Sequence, residues 1–275
     1  MAPAGRLGLG LAIALVAGNM IGSGIFLLPA SLAGIGSSAL VGWGVALFGA
    51  LLFGGVFSLL ALRLSASEGG VLEQVRDVLG LPVGYVTACL YWVNCVVGNI
   101  AIALAVTGYA GALIPALTGS ATATAATTIA VLWLIIAANL AGPRFVARFE
   151  AGTLAIGLLP ILAVGILGWF WFDIHQFEAG WNPAGTPVSE GLPNAVLTVF
   201  WAFLGLESIM MVAALVDNPR RNIPLATLGG IALAGAVYIG ACAAMMGIIP
   251  LSDLADSTAP FADTTALMFG TATGG

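Results

Sequence analysis

Long apolar stretches, separated by short polar ones, run the length of this chain. Seven of them approach or exceed the ~20 residues that an α-helix needs to cross a hydrocarbon core about 30 Å thick. They lie near residues 8–33, 39–62, 82–115, 121–141, 151–172, 192–216 and 225–250. The third is long enough to require tilt or an extension beyond the bilayer. The segments between them, such as RLSASEGGVLEQVRDVLG and VDNPRRNIP, are rich in Gly, Pro and charge and too short for a soluble domain. The pattern predicts a polytopic all-α membrane protein.

Composition agrees. Of 275 residues, 60% are hydrophobic and 7% charged, and the mean hydropathy is +1.10. A soluble domain has about 25% charged residues. A chain this apolar cannot cover a water-facing surface, which excludes a soluble enzyme, a nucleic-acid binder and a disordered tail. Its first partner is the lipid bilayer. Cys89, Cys95 and Cys242 all lie within apolar runs, and an odd count argues against a disulfide framework. The single histidine, His175, falls in a polar loop. The spans hold no paired acids, no His cluster and no nucleophile beside a base, so neither an enzyme nor a metal or cofactor site is expected.

Charge sets the orientation. The seven basic residues are all Arg: Arg6, Arg63, Arg76, Arg144, Arg148, Arg220 and Arg221. Threaded through seven spans, they fall on one side. The opposite loops carry Asp173, Glu178, Glu190, Asp253, Asp256 and Asp263 with no positive charge. The positive-inside rule makes the Arg side cytoplasmic, with the N-terminus inside. A cleaved signal peptide at residues 1–33 is disfavoured, because its removal would invert every later loop against this pattern.

Candidate chemistry lies where polar or small residues interrupt a span. Span 1 contains Gly18-Asn19-Met20-Ile21-Gly22-Ser23-Gly24. Three glycines and a serine there favour two half-helices. The amides opening the second could hold a carboxylate, and the carbonyls ending the first an ammonium, which suits an amino-acid backbone. Close helix packing by small residues is the competing reading. Span 6 carries Trp201-Ala202-Phe203-Leu204-Gly205-Leu206-Glu207-Ser208, and Glu207 is the only acid inside any predicted span. An intramembrane acid is by default a functional candidate, here for proton coupling, with a structural hydrogen-bonding role as the alternative. An unbroken helix would turn Trp201 and Glu207 about 240° apart, onto different faces unless Gly205 breaks it. In span 3, Tyr91, Asn94, Cys95 and Gly98 share one stripe with Asn99 at its edge, and the two Asn need partners across helices or in a wet cavity. Trp169, Phe170, Trp171 and Trp181 suit an interfacial aromatic belt.

GNMIGSGIFLLPASLA, LYWVNCVVGNIAIA, WAFLGLES and DNPRRNIPLAT, in that order, resemble the amino acid–polyamine–organocation (APC) transporters. Within that superfamily the similarity is greatest to the basic amino acid/polyamine antiporters, the arginine–agmatine exchangers foremost. The resemblance implies a LeuT-like fold of two inverted five-helix repeats, with the first repeat at 8–172 and the second beginning at 192–275. It implies exchange of a basic amino acid (arginine) for its decarboxylated amine (agmatine) across a bacterial inner membrane. Lysine–cadaverine exchange, ornithine–putrescine exchange or proton-coupled uptake are the alternatives. It further implies substrate contacts from Asn19, Met20, Ser23, Gly24, Cys95, Asn99, Trp201 and Leu204, a proton-linked role for Glu207, and a homodimer. Two departures bear on specificity and control: Leu72 and Gln74 stand where tyrosines follow the Gly-Gly pair, and Asn94 replaces a small residue. Because that fold needs at least ten helices, the chain is expected to be an N-terminal portion that stops within MFGTATGG as an eighth helix opens.

Overall fold

A computed structural model describes residues 7–22, 24–63, 70–141, 152, 156–185, 187–209 and 216–270. In chain order the helices are α1 (Leu9–Met20), α2 (Gly24–Ala33), α3 (Ala39–Arg63), α4 (Gly70–Leu79), α5 (Leu81–Leu113) and α6 (Ala121–Leu140). There follow α7 (Ile156–Phe170), α8 (Ile174–Ala179), α9 (Val188–Phe200), α10 (Pro219–Ile248), α11 (Leu251–Asp256) and α12 (Pro260–Phe269). The described residues form no strands beyond a single bridge between Leu7 and Val216. Among them, α3, α5, α6 and α10 are each long and apolar enough to cross a membrane, and α1 with α2 meets that test as a pair.

Among the described residues, α3, α5, α6 and α10 match expected spans 2, 3, 4 and 7 and the α1–α2 pair matches span 1, whereas spans 5 and 6 run partly outside the described residues. Span 1 is two helices, stopping at Met20 and resuming at Gly24. The start of span 5 lies partly outside the described residues, and α7 loosens at Ala163–Leu167 into a π-helical turn before ending in a 3₁₀ turn. Span 6 leaves the α-helix after Phe200. Four elements lay in segments expected to be polar loops: α4, α8, which carries His175, α11 and α12. Met268 and Phe269 close α12 ahead of Gly270, and the rest of the segment where an eighth helix is expected to open lies outside the described residues.

The chain divides into two compact units. The first combines residues 1–22, 43–95 and 199–236. Here the start of α10 packs through glycine. A methyl on Gly230 would sit 2.6 Å from the Val16 Cβ of α1, one on Gly235 would reach the Leu47 side chain of α3 at 2.6 Å, and Gly54 of α3 receives Ile231. Small residues let backbones approach where lipid is as apolar as Leu and burial alone drives little association. Trp43 and Phe203 meet edge to face at 5.9 Å, as do Phe53 and Phe200, fixing residues 200–203 on α3. The Asp217 amide donates to the Leu7 carbonyl and closes the end of this unit.

The second unit combines residues 23–42, 96–198 and 237–275. The Ser37 and Ser38 amides donate to the Gly180 and Trp181 carbonyls, and the Ser37 hydroxyl donates to the Phe177 carbonyl. Gly36, at φ +90°, lies so close to Gly180 and Pro183 that a side chain has no room. The Phe172 ring packs on Gly247, and the Asp173 amide bonds the Gly247 carbonyl. The buried Thr107 and Thr128 hydroxyls pair across α5 and α6. Trp169, Phe170, Trp171 and Trp181 are all exposed, as an aromatic belt requires.

Candidate functional site

Helix α1 ends because its last turn is not continued. The Ile21 amide still bonds the Ala17 carbonyl, but the Gly22 amide turns back to the Met20 carbonyl at 2.7 Å instead of continuing the ladder to Gly18. Met20 is buried. Asn19 is exposed at the end of the helix, its Nδ2 donating to the Leu15 carbonyl. Carbonyls at a helix C-terminus carry partial negative charge, which suits an ammonium group. Gly24 opens α2 in the second unit, whose first-turn amides lack acceptors within their own helix; Ser23 lies outside the described residues.

A second interruption follows Phe200. Residues 201–203 form a 3₁₀ turn, Leu204 is extended (φ −63°, ψ 144°), and Gly205 adopts the left-handed φ of +98° before another 3₁₀ turn at 206–208. Three residues per turn place Phe200 and Phe203 on one side, against α3, and Trp201 and Leu204 on the next. Trp201 is half-buried and Leu204 exposed. The helical wheel that separated Trp201 from Glu207 therefore does not apply, because Gly205 breaks the helix.

Glu207 holds this break. Its Oε2 accepts the Gly205 amide at 3.1 Å, an amide that the left-handed turn removes from the helical ladder. Gly205 in turn rests on the end of α1: a methyl there would lie 2.9 Å from the Asn19 carbonyl oxygen. Asn19, Gly205 and Glu207 thus form one contiguous set within the first unit. The Ser208 hydroxyl beside it is buried and has no hydrogen-bond partner among the described residues.

On α5, Tyr91 and Cys95 share a hydrogen bond at i, i+4 spacing, and Glu207 lies within electrostatic reach of the Tyr91 hydroxyl. The sequence placed Tyr91 on the polar stripe but not among the site residues. Its four-residue offset from Cys95 was the available signal. Asn94, Cys95 and Asn99 are exposed, and Asn99 falls in the second unit. Leu72 and Gln74 both lie on α4, where Arg76 pairs with Glu73 and Asp77 at 3.0 and 2.9 Å. Those carboxylates raise the Arg76 guanidinium above its ordinary range. No cluster of three or more His, Cys, Asp or Glu residues able to hold a metal occurs among the described residues.

Comparison with known proteins bears on this arrangement. Residues 7–275 match the amino acid permease family. The chain is 36% identical over 270 residues to the cadaverine/lysine antiporter of Escherichia coli K12, covering 98% of this chain and 60% of that protein. It is 34% identical over 251 residues to the putrescine transporter PotE of the same strain, covering 91% of this chain and 57% of that protein. The PotE protein of Haemophilus influenzae is 35% identical over the same length. The chain thus spans about three fifths of the length of these relatives.

Proposed function

The chain belongs to the amino acid permease family of the APC superfamily, and from that premise we infer that it works as an antiporter exchanging a basic amino acid for a diamine or related amine. The observation that carries the reading is the meeting of two helix interruptions, with Gly205 seated on the Asn19 carbonyl and Glu207 holding the Gly205 amide. Irregular backbone at membrane depth persists only where protein or a water-filled cavity meets its polar groups. In this reading Asn19, Met20, Ser23 and Gly24 bind the α-amino and α-carboxyl ends. Trp201 and Leu204 line the aliphatic and cationic portion, Cys95 and Asn99 receive its far end, and Glu207 exchanges a proton during the cycle.

The sequence favoured arginine and agmatine. The relatives named above carry cadaverine with lysine, or putrescine. Their names support a diamine substrate, so lysine–cadaverine and ornithine–putrescine come first, with arginine–agmatine as the third pair. The arginine distribution supports a cytoplasmic N-terminus in a bacterial inner membrane.

Counterflow in liposomes tests the reading. The full-length protein is reconstituted, vesicles are preloaded with one of the six compounds, and entry of radiolabelled amino acid or amine is followed. Exchange requires uptake only against a preloaded counter-substrate. Equal uptake into empty vesicles under a proton gradient would replace exchange by net permeation, and no flux of any of the six would overturn the substrate class.

A further inference from the structure

One phenol in the second unit holds three elements together. The Tyr109 hydroxyl of α5 donates to the Phe26 carbonyl of α2 at 3.1 Å and accepts the Phe261 amide of α12 at 3.3 Å. The Phe26 ring meets the Tyr109 and Phe261 rings edge-on, each at 5.5 Å. One residue earlier, Gly108 brings α5 against the loop joining α11 to α12, where a methyl would sit 2.6 Å from the Thr258 carbonyl oxygen.

The α12 end of this bridge meets a need that the sequence creates, and the α2 end reinforces a turn that Pro29 weakens. Phe261 is the second residue of α12, and a first-turn amide has no acceptor within its own helix. Ala259, at the cap position, offers no side-chain oxygen. Tyr109 supplies that acceptor. Helix α2 contains Pro29, which has no N–H, so the Ile25 carbonyl loses its helical donor and the first turn is weakened. Tyr109 bonds the carbonyl next to it. A phenol can donate one proton while accepting another, so a single hydroxyl serves both helices and a phenylalanine could serve neither.

We propose that Tyr109 is a positioning residue that ties half-helix α2 to the α11–α12 pair, so that displacement of that pair is transmitted to the start of α2. The consequence for exchange, through Gly24 at that start, rests on the antiporter reading; the mechanical tie does not.

Hydrogen exchange in the full-length reconstituted protein reads the tie without any substrate. In Tyr109→Phe the ring stays and the hydroxyl goes. Amides of 24–33 and of 260–269 should both exchange about 5- to 100-fold faster, the range set by losing one buried hydrogen bond, while α6 stays protected. Gly108→Ala approaches from the other side, lifting the Thr258 loop with the hydroxyl intact, and should loosen 24–33 together with 260–269. Acceleration confined to 260–269 in either variant would reduce Tyr109 to a helix cap and overturn the proposal, as would unchanged exchange in both segments. If Tyr109→Phe loosens α6 as well, the decision passes to Gly108→Ala. In the counterflow assay Tyr109→Phe should lower the maximal exchange rate and leave half-saturation unchanged. A failure of all flux would count against the antiporter reading and leave the exchange pattern to judge the tie.

Discussion

Replacing Gly205 by Ala attacks the interruption in span 6 at its most constrained point. Two independent costs meet there. The left-handed φ of +98° disfavours any residue with a Cβ, by about 1–2 kcal/mol. The new methyl also lies 2.9 Å from the Asn19 carbonyl oxygen and 3.2 Å from its carbon, against backbone that has no rotamer to escape into. Overpacking of this kind costs about 1–3 kcal/mol. The sum, about 2–5 kcal/mol, corresponds to roughly 30- to 5,000-fold in any equilibrium that requires the broken geometry. Purified Gly205→Ala should melt at lower temperature, followed by size exclusion after heating, and its counterflow should fall by at least an order of magnitude. Gly49→Ala on α3 is the control, because an added methyl there meets nothing within 4 Å. Gly205→Asn separates the two costs: Asn tolerates left-handed backbone but keeps the clash, so it should fall between Gly and Ala. Equal melting and equal flux for Gly205→Ala and Gly49→Ala would refute the claim that this turn is seated on α1.

Glu207→Gln keeps an acceptor for the Gly205 amide, so it should fold and bind substrate, while its exchange no longer responds to an imposed proton gradient; a wild-type response would make Glu207 a structural acid. Glu207→Ala strands that amide at a cost of about 1–3 kcal/mol, and a variant as stable as Glu207→Gln would show that the hydrogen bond carries nothing. Trp201→Leu removes a cation–π surface worth about 0.5–2 kcal/mol and should weaken a cationic substrate by up to roughly 30-fold; unchanged half-saturation for every candidate would leave Trp201 a packing residue. Cysteines at positions 146 and 178 report orientation: an impermeant thiol reagent on intact cells should reach 178 and not 146, and the reverse labelling would invert the topology.

The hydrophobic pattern located the long helices because lipid imposes a length and an apolar composition that few other segments share. It was blind to elements whose stability comes from docking. Helix α12 reads PFADTTALMF, ten residues without a strong apolar face, yet Phe261, Thr264 and Met268 are buried against its unit. Hydropathy is equally blind to the π-helical turn within α7 at Ala163–Leu167. Both interruptions were legible as glycine inside a span. What could not be read was which glycine breaks the helix and which merely packs: Gly205 turns left-handed, whereas Gly230 stays helical and admits Val16. That difference lies in what approaches each Cα, which is tertiary information. The pairing of Glu207 with the Gly205 amide was hidden for the same reason, since straight-helix geometry turned Glu207 away from Trp201.

That pairing changes what a proton on Glu207 would do. An ionised carboxylate accepts the Gly205 amide in a charge-assisted bond, about twice as strong as a neutral one. A protonated Glu207 offers a weaker acceptor and gains a donor of its own, beside a Ser208 hydroxyl that has no partner among the described residues. Proton loading would thus slacken the one side-chain bond that holds the left-handed turn, and the turn rests directly on the Asn19 carbonyl. Asn19 closes the helix end assigned above to the substrate's ammonium. Proton and substrate would then be linked through two consecutive contacts, carboxylate to Gly205 amide and Gly205 to Asn19 carbonyl, without a relay across the bundle. The chain of contacts also explains why glycine is required at 205: any side chain there would press on the Asn19 carbonyl at all times, and the carboxylate would have nothing left to control.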